Sequence, residues 1–215
     1  MNKKQSQQNA SGFSLIELVL SMTIILVVLG LATSLFSRSL GTRQRESSRT
    51  DALTAAQAAL NVISREISNS GYGISGNGIV SNESKDNQIH FLANVVNTNT
   101  VLTDPGENIT YFFDPTTQSI LRYDANANGP GSGETSIIIN RISSVNFRYF
   151  DYTGANPIPT EVNPATTATN KANTGRVRVT ITVSLERVAG QVNPQNVTLV
   201  SDVTLRNADY MLQQY

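Results

Sequence analysis

Gly12-Phe13-Ser14-Leu15-Ile16-Glu17 opens an apolar run that continues to Phe36, and the reading of that run decides the fold. Glu17 is the only charged residue between Phe13 and Phe36. A helix over the run is about 36 Å long at 1.5 Å per residue, enough to cross a hydrocarbon core of about 30 Å. A charge at the bilayer centre costs at least about 2.5 kcal/mol; Glu17 sits near one end, where the penalty is smaller. A lone carboxylate in an apolar helix still needs a partner from outside that helix.

The flanks sharpen the reading. Residues 1–12 are polar and hold Lys3 and Lys4. No small-x-small cleavage site follows the apolar run, and the run is too long for an ordinary secretory signal. Arg38, Arg43, Arg45 and Arg49 follow the run. Counting positive charges alone places the C-terminal side in the cytoplasm.

Gly12 to Glu17, with a short Lys-bearing leader before it and the apolar run after it, resembles the processing motif of type IV pilins and type II secretion pseudopilins. The resemblance implies a leader, residues 1–12, cut by a prepilin peptidase between Gly12 and Phe13. It implies that Phe13 is the N-methylated new terminus and that Glu17 is the glutamate used in assembly. It implies a single-pass inner-membrane protein with its C-terminal domain in the periplasm or outside, later found in a pilus or pseudopilus. That orientation is opposite to the one the charge count gives. Other pilin or pseudopilin subunits, the peptidase and an inner-membrane assembly platform are the implied partners. In a filament core the carboxylate of Glu17 would be strongly unfavourable unless paired. The methylated amino group of Phe13 on a neighbouring subunit is the partner the resemblance implies.

Outward from the run, the helix continues. Leu53, Ala56, Leu60, Ile63 and Ile67 recur at spacings of three and four, an apolar stripe through good helix formers. Asn69-Ser70-Gly71 is a stop, with Gly71 suited to the left-handed position after the helix. One nearly continuous helix from Phe13 to about Ser68 is predicted: residues 13–36 for membrane or filament core, 37–70 as an amphipathic continuation. Residues 71–215 form the globular head.

After Gly71 the period changes to two. Ile89, Phe91, Ala93 and Val95 alternate with polar residues, as do Ile109, Tyr111 and Phe113. Asp114-Pro115-Thr116-Thr117 is a turn, and Ser119–Tyr123 the returning strand. Further strands are predicted at Ile137–Ile142 and Val145–Tyr152. Val177, Val179, Ile181, Val183 and Leu185 interleave with polar side chains as far as Glu186, the pattern of an antiparallel strand with one wet face. Val197, Leu199, Val203 and Leu205 predict a last strand with a bulge near Ser201-Asp202. Gly154–Thr174, rich in Pro, Asn, Thr and Ala, reads as a long surface loop or a disordered insertion. A long helix followed by strands gives an α+β fold, with an antiparallel β-sheet packed on the C-terminal half of the helix.

Composition narrows the chemistry. The 215 residues carry no net charge and 15% charged residues, so no basic field for nucleic acid is built. There is no cysteine, hence no disulfide, thiol nucleophile or thiolate metal site. His90, the single histidine, sits within an alternating strand and reads as a solvent-facing residue; no Gly-x-Ser-x-Gly accompanies it. Gly71-Tyr72-Gly73 and Gly76-Asn77-Gly78 lack the strand and helix of a phosphate loop and read as turns. Asp124, Asn126, Asn128 and Gly129 match the first half of a calcium loop, but Thr135 stands where the bidentate Glu belongs and Glu134 is one short. The expectation is a plain Asn/Gly-rich connection and no cofactor, with calcium at Asp124, Asn126 and Asn128 as the alternative. No catalytic residue set is visible, so the chain is expected not to be an enzyme.

Two stretches bear on the kind of filament protein. Arg65-Glu66-Ile67 to Gly71-Tyr72-Gly73 resembles W-type minor pilins. Val145–Asp151 is similar to J-type minor pseudopilins of type II secretion. Retained Glu17 argues against the K-type tip pseudopilin, which usually lacks it. The expectation is a minor pilin that primes or caps a type IV pilus, with the J-type pseudopilin as runner-up. A membrane-anchored adhesion module that uses loop 154–174 is the alternative of a different class.

Overall fold

The stripe predicted on the second half of the helix is the surface that organises the strands. The structure, a computed structural model, describes residues 12–96, 101–152, 158–162, 171–185, 195–208 and 211. Helix α1 runs Leu15–Ser68. The chain divides into two units, Met1–Ser47 and Ser48–Tyr215. In the second unit Ala56, Ala59, Leu60, Ile63 and Ile67 are buried, which is the predicted stripe with Ala59 added and Leu53 left half-buried at its start.

Two four-stranded antiparallel sheets share that core, where the sequence pattern predicted one. The first is ordered β1-β2-β3-β4: β1 Gln88–Leu92, β2 Asn108–Asp114, β3 Ser119–Asp124 and β4 Glu134–Ile139. The second is ordered β6-β5-β7-β8: β5 Ile142–Asp151, β6 Thr160–Val162, β7 Thr174–Ser184 and β8 Asn196–Thr204. Alternation tells which side chains turn inward; it does not tell which strand lies alongside. Ile89, Phe91, Ile109, Tyr111 and Ile120 come inward from the first sheet. Val145, Phe147, Tyr149, Val177, Val179, Ile181 and Val183 come inward from the second. Burial of one such side chain stabilises by about 1.5–3 kcal/mol relative to leaving it in water.

The corner between the sheets corrects the strand predicted at Ile137–Ile142. The chain leaves β4 at Ile139 and enters β5 at Ile142. Arg141 takes a φ of 61°, a left-handed conformation uncommon for a side-chain-bearing residue. Ile142 N–H donates to Gln118 C=O at 2.9 Å, and Ser184 N–H to Arg141 C=O at 3.1 Å, so the bend is fastened on both sides. One turned residue redirects the run, and an apolar stretch read by composition hides it.

Three further expectations change. The pairing of β7 with β8 is regular from Arg176↔Thr204 to Ser184↔Asn196, so no bulge lies near Ser201-Asp202. Ser201 is simply a polar residue at an inward position, where its hydroxyl accepts from Ser64 Oγ of α1 at 3.0 Å. Within Gly154–Thr174, Thr160–Val162 is a strand paired with β5, and Lys171 and Thr174 are buried. Residues 154–157 and 163–170 of that predicted loop lie outside the described residues, as do residues 1–11 of the leader and Glu186.

The helix stop is as predicted. Gly71 has a φ of +81°, and a Cβ there would stand 2.6 Å from Gly76 O. Gly78 is tighter, with its added Cβ 2.2 Å from Gly71 N and 2.4 Å from Leu92 O. Both positions demand glycine for space as well as for backbone angle. The turn at Asp114 is also as predicted: its carboxylate accepts from Thr116 N–H at 2.9 Å and Thr117 Oγ1 at 2.7 Å.

Candidate functional site

Two candidate sites lie on α1, one at each end. The first is the apolar run. Its side chains lie open: Phe13 is 80% exposed, and Leu20, Ile25, Leu26, Leu29 and Phe36 all exceed half exposure. Among the described residues α1 is the one helix long and apolar enough to cross a membrane, with a window of mean hydropathy 2.6 that has no buried residue.

The polar groups of this segment divide into two kinds. Ser21, Thr23 and Thr33 donate their hydroxyls to helix carbonyls at Leu18, Leu20 and Leu29, at 2.9, 2.8 and 2.7 Å. Such back-bonding hides a hydroxyl from an apolar medium. Glu17 is exposed, and no described residue bonds its carboxylate. Gly12 is also without a structural reason, since a Cβ there would meet nothing within 4 Å. Its neighbours in the fold do not require glycine. Gly12, Phe13 and Glu17 therefore stand together at the helix start, accessible and unused by the fold.

The second site is the clamp that holds the helix end to the first sheet. Glu66 Oε2 accepts from Tyr111 Oη at 2.8 Å and from Arg122 Nε at 3.0 Å. Arg122 Nη1 reaches Asp124 Oδ2 at 3.3 Å. Burial works against the charge on Arg122, yet the bond to Glu66 and its negative charge outweigh it and hold the guanidinium above its ordinary pKa. Burial, with Glu66 second, pushes the Tyr111 phenol well up, so the hydroxyl stays a donor. Sequence reasoning missed this network. The residues are 56 positions apart, and only the register that sets Tyr111 opposite Arg122 brings them together.

The Asp124–Asn128 loop is closed by its own backbone. Asp124 Oδ1 accepts from Asn126 N–H at 3.1 Å, and Oδ2 accepts from Gly106 N–H at 2.8 Å as well as from Arg122. Asn126 Oδ1 accepts from Gly131 N–H at 3.1 Å, and its Nδ2 donates to Leu102 C=O at 2.9 Å. Asn128 Nδ2 stands 3.4 Å from Glu134 Oε2. The side-chain oxygens of Asp124 and Asn126 thus accept backbone N–H groups, and the Arg122 guanidinium stands against the Asp124 carboxylate.

His90 is not the solvent-facing residue its alternation predicted. Its ring lies between Glu83 Oε2, 2.8 Å from Nδ1, and Asn108 Oδ1, 2.7 Å from Nε2, and its side chain is 12% exposed. It lines a shallow groove on the first sheet with Gln88, Thr110, Phe112 and Tyr123. Alternation placed it on the correct face, but the loop before β1 covers that position.

Lys171 was also illegible. It is 1% exposed, its ammonium donates to Ser81 C=O and Ser84 C=O, and it stands 5.4 Å from the Tyr149 ring centroid. Burial, then the charge of Lys85, depresses its pKa. Asn77 Nδ2 donates to Lys171 C=O at 2.7 Å and Thr174 C=O at 3.0 Å. The turn at Lys171 thus locks the chain that follows the helix. Among the described residues no cluster of three or more His, Cys, Asp or Glu side chains is set to hold a metal.

The comparison with protein families falls on the first site. The prokaryotic N-terminal methylation motif matches residues 7–33. No curated protein matches the chain. The motif supports a prepilin-like chain of the type IV pilin or pseudopilin kind. It implies assembly with other pilins and processing by a prepilin peptidase. With one apolar helix, it suits a single-pass anchor in the inner membrane.

Proposed function

We propose that the chain is a minor type IV pilin, cut between Gly12 and Phe13, methylated at Phe13 and assembled through Phe13–Phe36. Glu17 carries the reading. It is exposed on an apolar helix inside a matched methylation motif, and nothing in the described chain pairs with it. In the proposed filament its partner is the amino group of Phe13 on the next subunit. Taking the carboxylate out of water is then offset only in the register where the two meet.

Length supports a minor role. About 203 residues remain after the proposed cut of the 215, long for a shaft subunit. The stretch from Arg65 to Gly73, which resembles W-type minor pilins, forms the end of α1 and the glycine turn after it. The J-type pseudopilin is the second reading, favoured by Val145–Asp151, which lies in β5. Counting copies in purified filaments against the shaft subunit separates a rare primer from an abundant fibre-former.

Two variants test the chemistry. Gly12→Leu introduces a side chain where the fold has open space, so the protein folds but remains uncut. Mass measurement of the membrane fraction finds the full-length chain; a mature, methylated Phe13 terminus in this variant defeats the proposed cut. Glu17→Ala leaves insertion intact and lowers filament incorporation at least about tenfold, a free-energy loss of roughly 1.4 kcal/mol or more. Wild-type incorporation of Glu17→Ala removes the pairing.

A further inference from the structure

A cluster of arginines follows the span directly. Ser37–Arg45, the nine residues after Phe36, hold Arg38, Arg43 and Arg45 and no acidic residue. All three arginines are exposed on α1, and none joins an ion pair among the described residues. Along the helix axis they stand about 3, 10 and 13 Å beyond Phe36. The headgroup layer on each side of a bilayer is about 5–8 Å thick. Helical side chains lean toward the N-terminus, which here is toward the membrane. Arginine stems reach several ångströms further while lying along apolar surface. Leu40, 51% exposed, supplies such surface between Arg38 and Arg43.

We propose that Arg38, Arg43 and Arg45 form a collar that binds the phosphates of anionic lipid headgroups in the leaflet through which the span emerges. Their angular placement favours lipid over a protein partner. Arg38 and Arg45 lie about 20° apart around the helix, while Arg43 lies about 160° from Arg45. Donors on opposite sides suit a medium that surrounds the helix, whereas a docking protein covers one side. Guanidinium groups also bind phosphate oxygens two at a time. The collar explains why these arginines sit where the charge count reads them as a topology signal. Whichever side of the membrane this end occupies, they set the depth of the span. The inference rests on the membrane span and not on filament assembly.

The chain has no cysteine, so Gln44→Cys gives one site for a fluorophore in the full chain. The labelled protein is reconstituted in vesicles of phosphatidylcholine alone, or with one quarter phosphatidylglycerol. Quenching by acrylamide, which is uncharged, reads exposure of the collar. The anionic lipid is expected to lower the quenching constant at least about twofold, within reach of the attraction of three basic residues to a charged leaflet. In the Arg38→Gln/Arg43→Gln/Arg45→Gln variant, which keeps good helix formers, the difference is expected to vanish. Equal quenching in both vesicles, or a lipid effect that survives the triple substitution, overturns the collar. A chain that floats with neither vesicle overturns the span and the collar together; flotation with both leaves the span standing and the quenching decides.

Discussion

The two halves of α1 belong to one helix and meet opposite surroundings. Leu26 is 64% exposed in the first unit, whereas Ile63 is fully buried in the second. The first half is apolar on every side; the second is apolar along one stripe. A helix that is apolar all round has to be covered from outside its own chain, by lipid or by other subunits. A striped helix is covered by its own sheets. The contrast teaches that the width of the apolar face, more than its hydrophobicity, tells whether a helix serves folding or assembly.

The largest effect that can break this comparison comes from truncating one residue on each half. Ile63→Ala removes a fully buried side chain and is expected to destabilise the second unit by about 2–5 kcal/mol. That is a fall of roughly 5–15 °C in the melting of the full chain in detergent, followed by tyrosine near-UV circular dichroism. Leu26→Ala is expected to leave the same melt unchanged. A matching loss for Leu26→Ala would show that the first half is covered within the chain after all.

The polar clamp at the end of α1 sharpens the comparison at a smaller scale. Glu66→Gln keeps the shape and one oxygen for Tyr111 Oη but removes the charge that faces Arg122. Asp124 remains 3.3 Å from Arg122, so the guanidinium keeps one acid. Both Glu66 and Arg122 retain some contact with water, 25% and 20% by side chain. The expected loss is therefore about 1–2 kcal/mol, below that of a fully buried pair. Denaturant titration of both proteins measures it, and an unchanged midpoint would reduce the clamp to a surface contact.

How much of this was legible follows from what each pattern encodes. The apolar run, the stripe and the clean alternation from Val177 to Val183 are one-dimensional signals, and the structure keeps them. The methylation motif is equally local, since it is matched within residues 7–33 alone. The division into two sheets was not legible, because it depends on Arg141 taking a left-handed angle in a run of isoleucines. Nor was the burial of Lys171, which sits in a stretch that composition marks as loop and is drawn in by the carbonyls of Ser81 and Ser84. His90 shows the intermediate case: its face was readable, but its neighbours Glu83 and Asn108 belong to a loop and another strand.

The smallest expected effect lies on the outer face of the second sheet. Arg178 donates to both oxygens of Asp202, at 2.8 and 2.9 Å. The bond from Arg178 holds the Asp202 carboxyl below its ordinary pKa, with partial burial opposing. A depressed carboxylate pKa contributes stability that is present above the unfolded value and lost as pH falls through the folded one. The window therefore opens near pH 4 and extends below the ordinary carboxylate range. Both side chains are about two-fifths exposed, so water and salt screen most of the interaction. Asp202→Asn is expected to shift the melt at pH 7 by less than about 2 °C, and the difference from wild type to shrink as pH falls below the ordinary carboxylate range. A pair this exposed should also weaken in high salt, which the Glu66 clamp should resist. If Asp202→Asn instead lowered stability as much as Glu66→Gln at neutral pH, exposure would have failed as the guide to which ion pairs hold the second unit together.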